Sequence, residues 1–176
     1  MSVGAFLCRF FLSRETEMNQ GKKFEQDFKN SVPGDVYYLR LHDSANGFDV
    51  EEMKEHTNQR FAAKSPYDVI LCKDGKMMAL ELKSTGGSSV GNITSSQEKE
   101  LKKAGDKGVF AGFVLNFRKT ERTYFVPIKE YMELKEETKK KSINEKDISR
   151  IPHVVLPGKK LKVNYRYDLS ELLALV

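Results

Sequence analysis

The sequence predicts a mixed α/β fold, one β-sheet flanked by helices. Three observations carry this. Alternating apolar segments at 67–73 and 76–83 are joined by Asp74-Gly75, and an Asp-Gly pair between such segments is the strongest short-range hairpin signal. Apolar residues at helical spacing mark segments on both sides of the hairpin, at 19–31 and 128–141. β-branched and aromatic runs at Val36–Leu41, Val109–Phe117 and Thr123–Ile128 supply further strands. The order is helix, several strands, helix, two strands, helix, which a sheet covered by helices satisfies.

Along the chain, Phe24 and Phe28 stand at i and i+4 of the first helix, and Pro33-Gly34 ends it. Residues 42–64 are polar and show no clear period. After the hairpin, the Gly, Ser and Thr of residues 84–93 read as a mobile loop. Thr94 with Gln97, or Ser95 with Glu98, fits a capping box at the next helix start. Gly105 suits that helix's end, and the charged turn Arg118–Arg122 separates the two following strands. Ile128, Tyr131, Met132 and Leu134 give the next helix its apolar face, and Lys139-Lys140-Lys141 reads as its solvated end. An extended stretch at Val154–Leu156, a turn at Pro157-Gly158, a strand over Leu161–Tyr167 and a helix from Ser170 complete the chain.

At 176 residues a single domain is expected. Its hydrophobic fraction of 39% and charged fraction of 31% suit a globular protein with a heavily charged surface. The net charge of +5 is compatible with a polyanion partner without requiring one. Two cysteines, Cys8 and Cys72, make no disulfide framework, and a reducing, cytoplasmic setting is the simpler reading. The apolar run Val3–Leu12 is broken by Arg9 and too short to span a bilayer, so no membrane partner is expected. Residues 1–17 read as an upstream extension, or else as a terminal arm; residues 18–176 form the domain, with a core over 20–135 and a tail over 136–176.

The hairpin also carries chemistry. A two-residue turn sets Lys73 against Lys76, Cys72 against Met77, Ile70 against Ala79 and Asp68 against Glu81. Directly opposed side chains have Cβ atoms about 4.5–5.5 Å apart, so two carboxylates there repel unless a cation lies between them. Alternation puts Lys83 on the face of Glu81. Two acids and one amine aimed at one spot are the equipment of a divalent-metal phosphodiesterase. Mg²⁺ takes oxygen ligands and keeps several waters; Asp68 and Glu81 offer carboxylates, and the backbone carbonyl of Leu82 between Glu81 and Lys83 offers a third oxygen. Lys83 can orient or deprotonate a water, or stabilise the phosphorane; the residue types do not choose among these. Lys22, Lys23, Arg60 and Lys64 are candidate phosphate contacts. His42, His56 and His153 lack metal-ligand spacing, and Gly86-Gly87 lacks the pattern of a phosphate-binding loop.

These stretches carry a family resemblance. Gly21-Lys22-Lys23-Phe24-Glu25, Ser65-Pro66-Tyr67-Asp68-Val69-Ile70, Leu80-Glu81-Leu82-Lys83-Ser84, Gln97, Gly112–Phe117 and Tyr124-Phe125-Val126-Pro127 resemble the PD-(D/E)XK nuclease superfamily. Within it they look most like Holliday-junction resolvases of the RecU and archaeal Hjc type. The resemblance implies a restriction-endonuclease-like fold and a structure-selective endonuclease of DNA recombination and repair, associated with DNA in the cytoplasm. It implies Mg²⁺, with Mn²⁺ able to substitute. It implies Asp68, Glu81 and Glu25 at the metal, Lys83 at the attacking water, and Gln97 beside the site. It implies four-way DNA junctions as the partner, cut on opposed strands by a homodimer. RecU proteins carry a long stalk before the catalytic hairpin; residues 42–64 are the only candidate here, shorter and less strand-like. A nuclease of the same fold acting on flaps, forks or duplex DNA is the alternative enzyme, and a non-catalytic DNA-binding module is the alternative from another class.

Overall fold

A computed structural model describes residues 20–41 and 65–176. Its centre is a six-stranded sheet with helices on both faces. Helix α1 covers 20–29, and β1 is Tyr37–Arg40. The hairpin is β2, Val69–Lys73, and β3, Lys76–Thr85. After β4, Ser89–Val90, come α2, Ser95–Gly105, and β5, Phe110–Phe117. Strand β6, Arg122–Pro127, leads directly into α3, Ile128–Thr138. The tail holds β7, Ile143–Asn144, α4, Glu145–Ile148, β8, Val154–Val155, β9, Gly158–Lys160, β10, Tyr165–Tyr167, and α5, Ser170–Leu173.

The main sheet has the order β1-β2-β3-β5-β6-β8. Its pairs are antiparallel except β3 with β5, which run parallel and are linked by α2. A parallel pair needs such a crossover. The hairpin register is the one its turn dictates: Lys73 pairs Lys76, Cys72 pairs Met77 and Ile70 pairs Ala79. Asp74 and Gly75 both have positive φ, 50° and 77°, as a type I′ turn requires.

Strand alternation divides the core. Met78, Leu80 and Leu82 of β3 join Val114 and Phe125 against Phe24 and Phe28 of α1 and Leu172 and Leu173 of α5. Ala79, Phe113, Leu115 and Val126 face the other way, against Leu101 of α2 and Tyr131 and Leu134 of α3. Phe28, Phe113, Phe117 and Phe125 are completely or almost completely buried, each worth about 1.5–3 kcal/mol relative to exposure. β3 therefore lies between two apolar layers, and any charge on it stands out.

Several local expectations are corrected. The stretch 84–93 is not simply a loop: β3 continues to Thr85 because Ser84 and Thr85 pair with Asn116 and Phe117. Val90 is buried in β4, which pairs with β7. Helix α3 stops at Thr138, where Lys139 takes a left-handed conformation with φ of 54° and donates its N–H to the Lys135 carbonyl. The strand expected over Leu161–Tyr167 is the second half of a hairpin: β9 precedes it, and the turn lies at Leu161–Asn164, closed by the Leu161 N–H on the Asn164 carbonyl. Pro157-Gly158 leads into β9 rather than reversing the chain.

Gly112 is required by a close approach. A Cβ there would sit 2.4 Å from the Val126 carbonyl oxygen and 2.7 Å from the Phe125 ring. Backbone on the neighbouring strand cannot yield without breaking the β5–β6 ladder. Gly112→Ala is expected to destabilise the protein by about 1–3 kcal/mol, read from a lowered denaturation midpoint; an unchanged midpoint would show that β6 is free to shift.

Candidate active site

The site is built at the end of the hairpin away from its turn. Asp68 lies one residue before β2, yet its N–H still donates to the Leu80 carbonyl at 3.1 Å. This holds it against β3, where its Oδ2 accepts from the Leu82 N–H at 2.8 Å. In a regular strand a residue's N–H and C=O leave on the same edge. The Leu82 carbonyl is therefore turned to the edge that carries Asp68.

Glu81 and Lys83 project from the opposite face of β3 to Leu80 and Leu82. Glu81 is only 2% exposed, and the Lys83 ammonium lies 2.9 Å from its Oε1. Gln97, in the first turn of α2, donates its Nε2 to the same oxygen. The capping box fixes which way that amide points: Gln97 Oε1 accepts from the Thr94 N–H at 3.0 Å and the Thr94 hydroxyl at 3.2 Å. Its NH₂ is left aimed at Glu81. Gln97 is thus the cap partner of Thr94 and a neighbour of Glu81 in one arrangement.

The electrostatics follow from this packing. Burial, then repulsion from Asp68, pushes the Glu81 carboxyl up to about 7, with Lys83 acting in the opposite sense. Glu25 on α1 is also raised, first by burial and also by Asp68, against the pull of Arg40. Arg40 at the end of β1 donates to Glu25 in an ion pair. Among the described residues, no three His, Cys, Asp or Glu side chains gather at metal-ligand spacing. The acids come as the Asp68–Glu81 pair, with Glu25 engaged by Arg40.

Two neighbours were not singled out from sequence. Arg40 covers Glu25, and Tyr38, on the same side of β1, has its phenol raised by burial and by the charges of Glu25 and Asp68, Arg40 opposing. Their signal was only the alternation of a short strand. Of the candidate phosphate contacts, Lys22 is exposed, while Lys23 is held by Asp27 at 2.8 Å; Arg60 and Lys64 lie outside the described residues. A cavity of about 1150 Å³ opens beside α2 and α3 around Phe110 and Met132, and Asp68, Glu81 and Lys83 do not line it. A polymer backbone is reached from an open surface, so this separation does not count against the site.

The donor set suits a hard divalent cation. Two neighbouring carboxylates and a strand carbonyl are oxygen donors of the kind Mg²⁺ and Mn²⁺ take, and burial, then the Asp68 charge, holds Glu81 above its ordinary value of 4.5, which a cation would offset.

That shift has a sign that can be checked. Glu81 is raised from 4.5 to about 7 in the fold, so its contribution favours folding below the lower value and is lost as pH rises through the upper one. In a chelator, the denaturation midpoint of the wild type is expected to fall across this interval relative to Glu81→Gln. Added Mg²⁺ should reverse the fall. Parallel pH profiles for the two proteins would contradict the burial-driven shift.

The family model for Recombination protein U matches residues 45–170, a stretch that contains Asp68, Glu81, Lys83 and Gln97 but not Glu25. No curated protein matches the chain. Among solved structures, a 1.6 Å structure of Archaeoglobus fulgidus Hjc, a Holliday junction resolvase from an archaeal hyperthermophile, is similar with a TM-score of 0.49 and 18% identity. The match covers 74% of this chain and 93% of that one. With its family model spanning most of its length, the chain belongs to the Recombination protein U family.

Proposed function

We propose that this chain is a divalent-metal-dependent endodeoxyribonuclease that resolves four-way DNA junctions as a homodimer. One observation carries the chemistry: Asp68 lies close enough to Glu81 to raise its carboxyl, with the Lys83 ammonium 2.9 Å from Glu81. Family membership and the Holliday-junction activity named for the similar archaeal structure support the choice of substrate.

Asp68, Glu81 and the Leu82 carbonyl would hold the cation, with Glu25 joining from α1 on release from Arg40. When bound, the cation supplies a Lewis acid that lowers the pKa of water and offsets charge on the scissile phosphate. Asp68 is kept in place by the Leu82 N–H. Glu81 is oriented by Gln97, whose amide the Thr94 cap prevents from turning its oxygen toward the acid. Lys83 orients or deprotonates the attacking water, or stabilises the negative charge on the phosphoryl oxygens. A junction must be cut on two opposed strands to give ligatable products. One site per chain therefore calls for a twofold dimer.

The test is cleavage of junction, flap and linear duplex of matched sequence with Mg²⁺. Paired opposed nicks in the junction, and much less cutting of duplex, are expected. Equal cutting of all three by a monomer would leave the nuclease and remove the resolvase.

Asp68→Asn or Glu81→Gln should abolish cleavage while junction binding is kept or tightened, because negative charge near the phosphates is lost. Cutting by Glu81→Gln at the wild-type rate would refute the nuclease reading.

Lys83→Ala should lower the single-turnover rate far more than the affinity. A Lys83→Ala protein that loses affinity but cuts normally when saturated would make Lys83 a phosphate anchor instead.

A further inference from the structure

The β9–β10 hairpin has a composition unlike the rest of the tail. Residues 158–167 contain Lys159, Lys160, Lys162 and Arg166 and no acid, in a chain whose whole net charge is +5. Residues 157–164 are all exposed. At the tip stand two apolar side chains, Leu161 at 42% and Val163 at 75% exposure. A single exposed aliphatic needs no explanation. Two of them at the tip of a cationic hairpin form a defined surface.

The hairpin is also fixed in place. Tyr167 is buried with its ring edge-on to Phe24 of α1, 5.7 Å between centroids. Tyr165 stacks on Tyr167 and donates its hydroxyl to Glu121 in the β5–β6 turn at 2.6 Å. Lys23 Nζ reaches the Asn164 side-chain oxygen at 3.3 Å. With Tyr165 and Tyr167 turned inward, alternation turns Arg166 outward. Arg166 pairs Lys159 across the ladder, and like charges directly opposed repel. Such a pair is relieved by an external anion.

Its position ties it to the site. A cleft of about 200 Å³ is lined by Tyr165 and Tyr167 from the hairpin, Lys23 and Phe24 from α1, and Ser84 from β3. Ser84 follows Lys83 directly. Ser84 shares the face of Leu80 and Leu82, so the hairpin stands at the same end of the sheet as Glu81 and Lys83 but on the opposite face.

We propose that the β9–β10 hairpin is a DNA-contacting wedge: Lys159 and Arg166 hold backbone phosphates, and Leu161 and Val163 enter the base stack at a branch point. This rests on the DNA-endonuclease reading above and adds the element that recognises the branch. Phosphates satisfy the outward cations. Apolar side chains beside cations enter unstacked base steps, which a branch offers at lower cost than continuous duplex.

The test uses the full chain with Ca²⁺ in place of Mg²⁺ and a four-way junction carrying 2-aminopurine next to the branch. Wild-type protein should bind and raise the 2-aminopurine fluorescence as the base unstacks. Leu161→Ser with Val163→Ser should still bind but lose most of that rise. Val163→Ser alone, at the most exposed position, should lose part of it and serves if the double variant shows an altered thermal transition. Lys159→Gln with Arg166→Gln should flatten the dependence of log affinity on log salt by about 2. An unchanged fluorescence rise in both tip variants, or an unchanged salt slope, overturns the wedge. So does a wild-type dimer that becomes a monomer on tip substitution, which would make the tip an interface between copies. Tip-dependent binding to phosphatidylserine vesicles with no tip-dependent junction response also overturns it. Tip-dependent fluorescence by a protein that cuts nothing in Mg²⁺ would support the wedge and overturn the nuclease. Junction cutting with a tip-independent signal would do the reverse.

Discussion

Two carboxylates held close together at the end of a hairpin are the constraint on which the rest of the site depends. Asp68 and Glu81 repel, and Glu81 is buried as well, so its ionised form is disfavoured twice over. The fold keeps the pair together by fixing the backbone on all sides. The Asp74-Gly75 turn sets the register of β2 on β3, parallel pairing to β5 holds the far edge of β3, and the Leu82 N–H ties Asp68 to that strand. A slip of one residue would exchange the faces of β3. It would drive Leu80 and Leu82 out of one core layer and send Glu81 and Lys83 into it.

Local stabilisation is spent on making the charges tolerable. Lys83 approaches Glu81 from the same face, and Gln97 approaches from α2 with its amide orientation locked by a helix cap. A buried acid with two donors on one oxygen is still short of positive charge. The geometry suits the acquisition of a cation, and perturbed carboxyl groups of this kind gather at functional sites.

How much of this was legible in the sequence depends on the range of the interaction responsible. The hairpin and its register were readable because an Asp-Gly turn determines them locally. Thr94 and Gln97 were readable because a cap has a fixed spacing. Arg40 on Glu25 was not, since it joins β1 to α1 through the tertiary fold. Pro157-Gly158 read as a turn, yet Gly158 serves a close contact: a Cβ there would lie 3.1 Å from the Tyr167 ring. The end of α3 at Lys139 had no glycine to announce its left-handed residue. The short β7 and α4 depend on Asn144 and Asp147 capping each other, a box with Asp in place of the usual Glu or Gln. Ten residues of β3 were read as eight because Ser84 and Thr85 open a Gly- and Ser-rich stretch and are held in the strand by β5, a partner more than thirty positions away.

Asp68, Glu81 and the Leu82 carbonyl are the proposed divalent-cation site. Anomalous diffraction from crystals soaked in Mn²⁺ measures this directly. The account predicts a peak between the Asp68 and Glu81 carboxylates, within coordination distance of the Leu82 carbonyl, and its loss in Asp68→Asn crystals. A Mn²⁺ peak elsewhere on the protein with none between these two acids would contradict it.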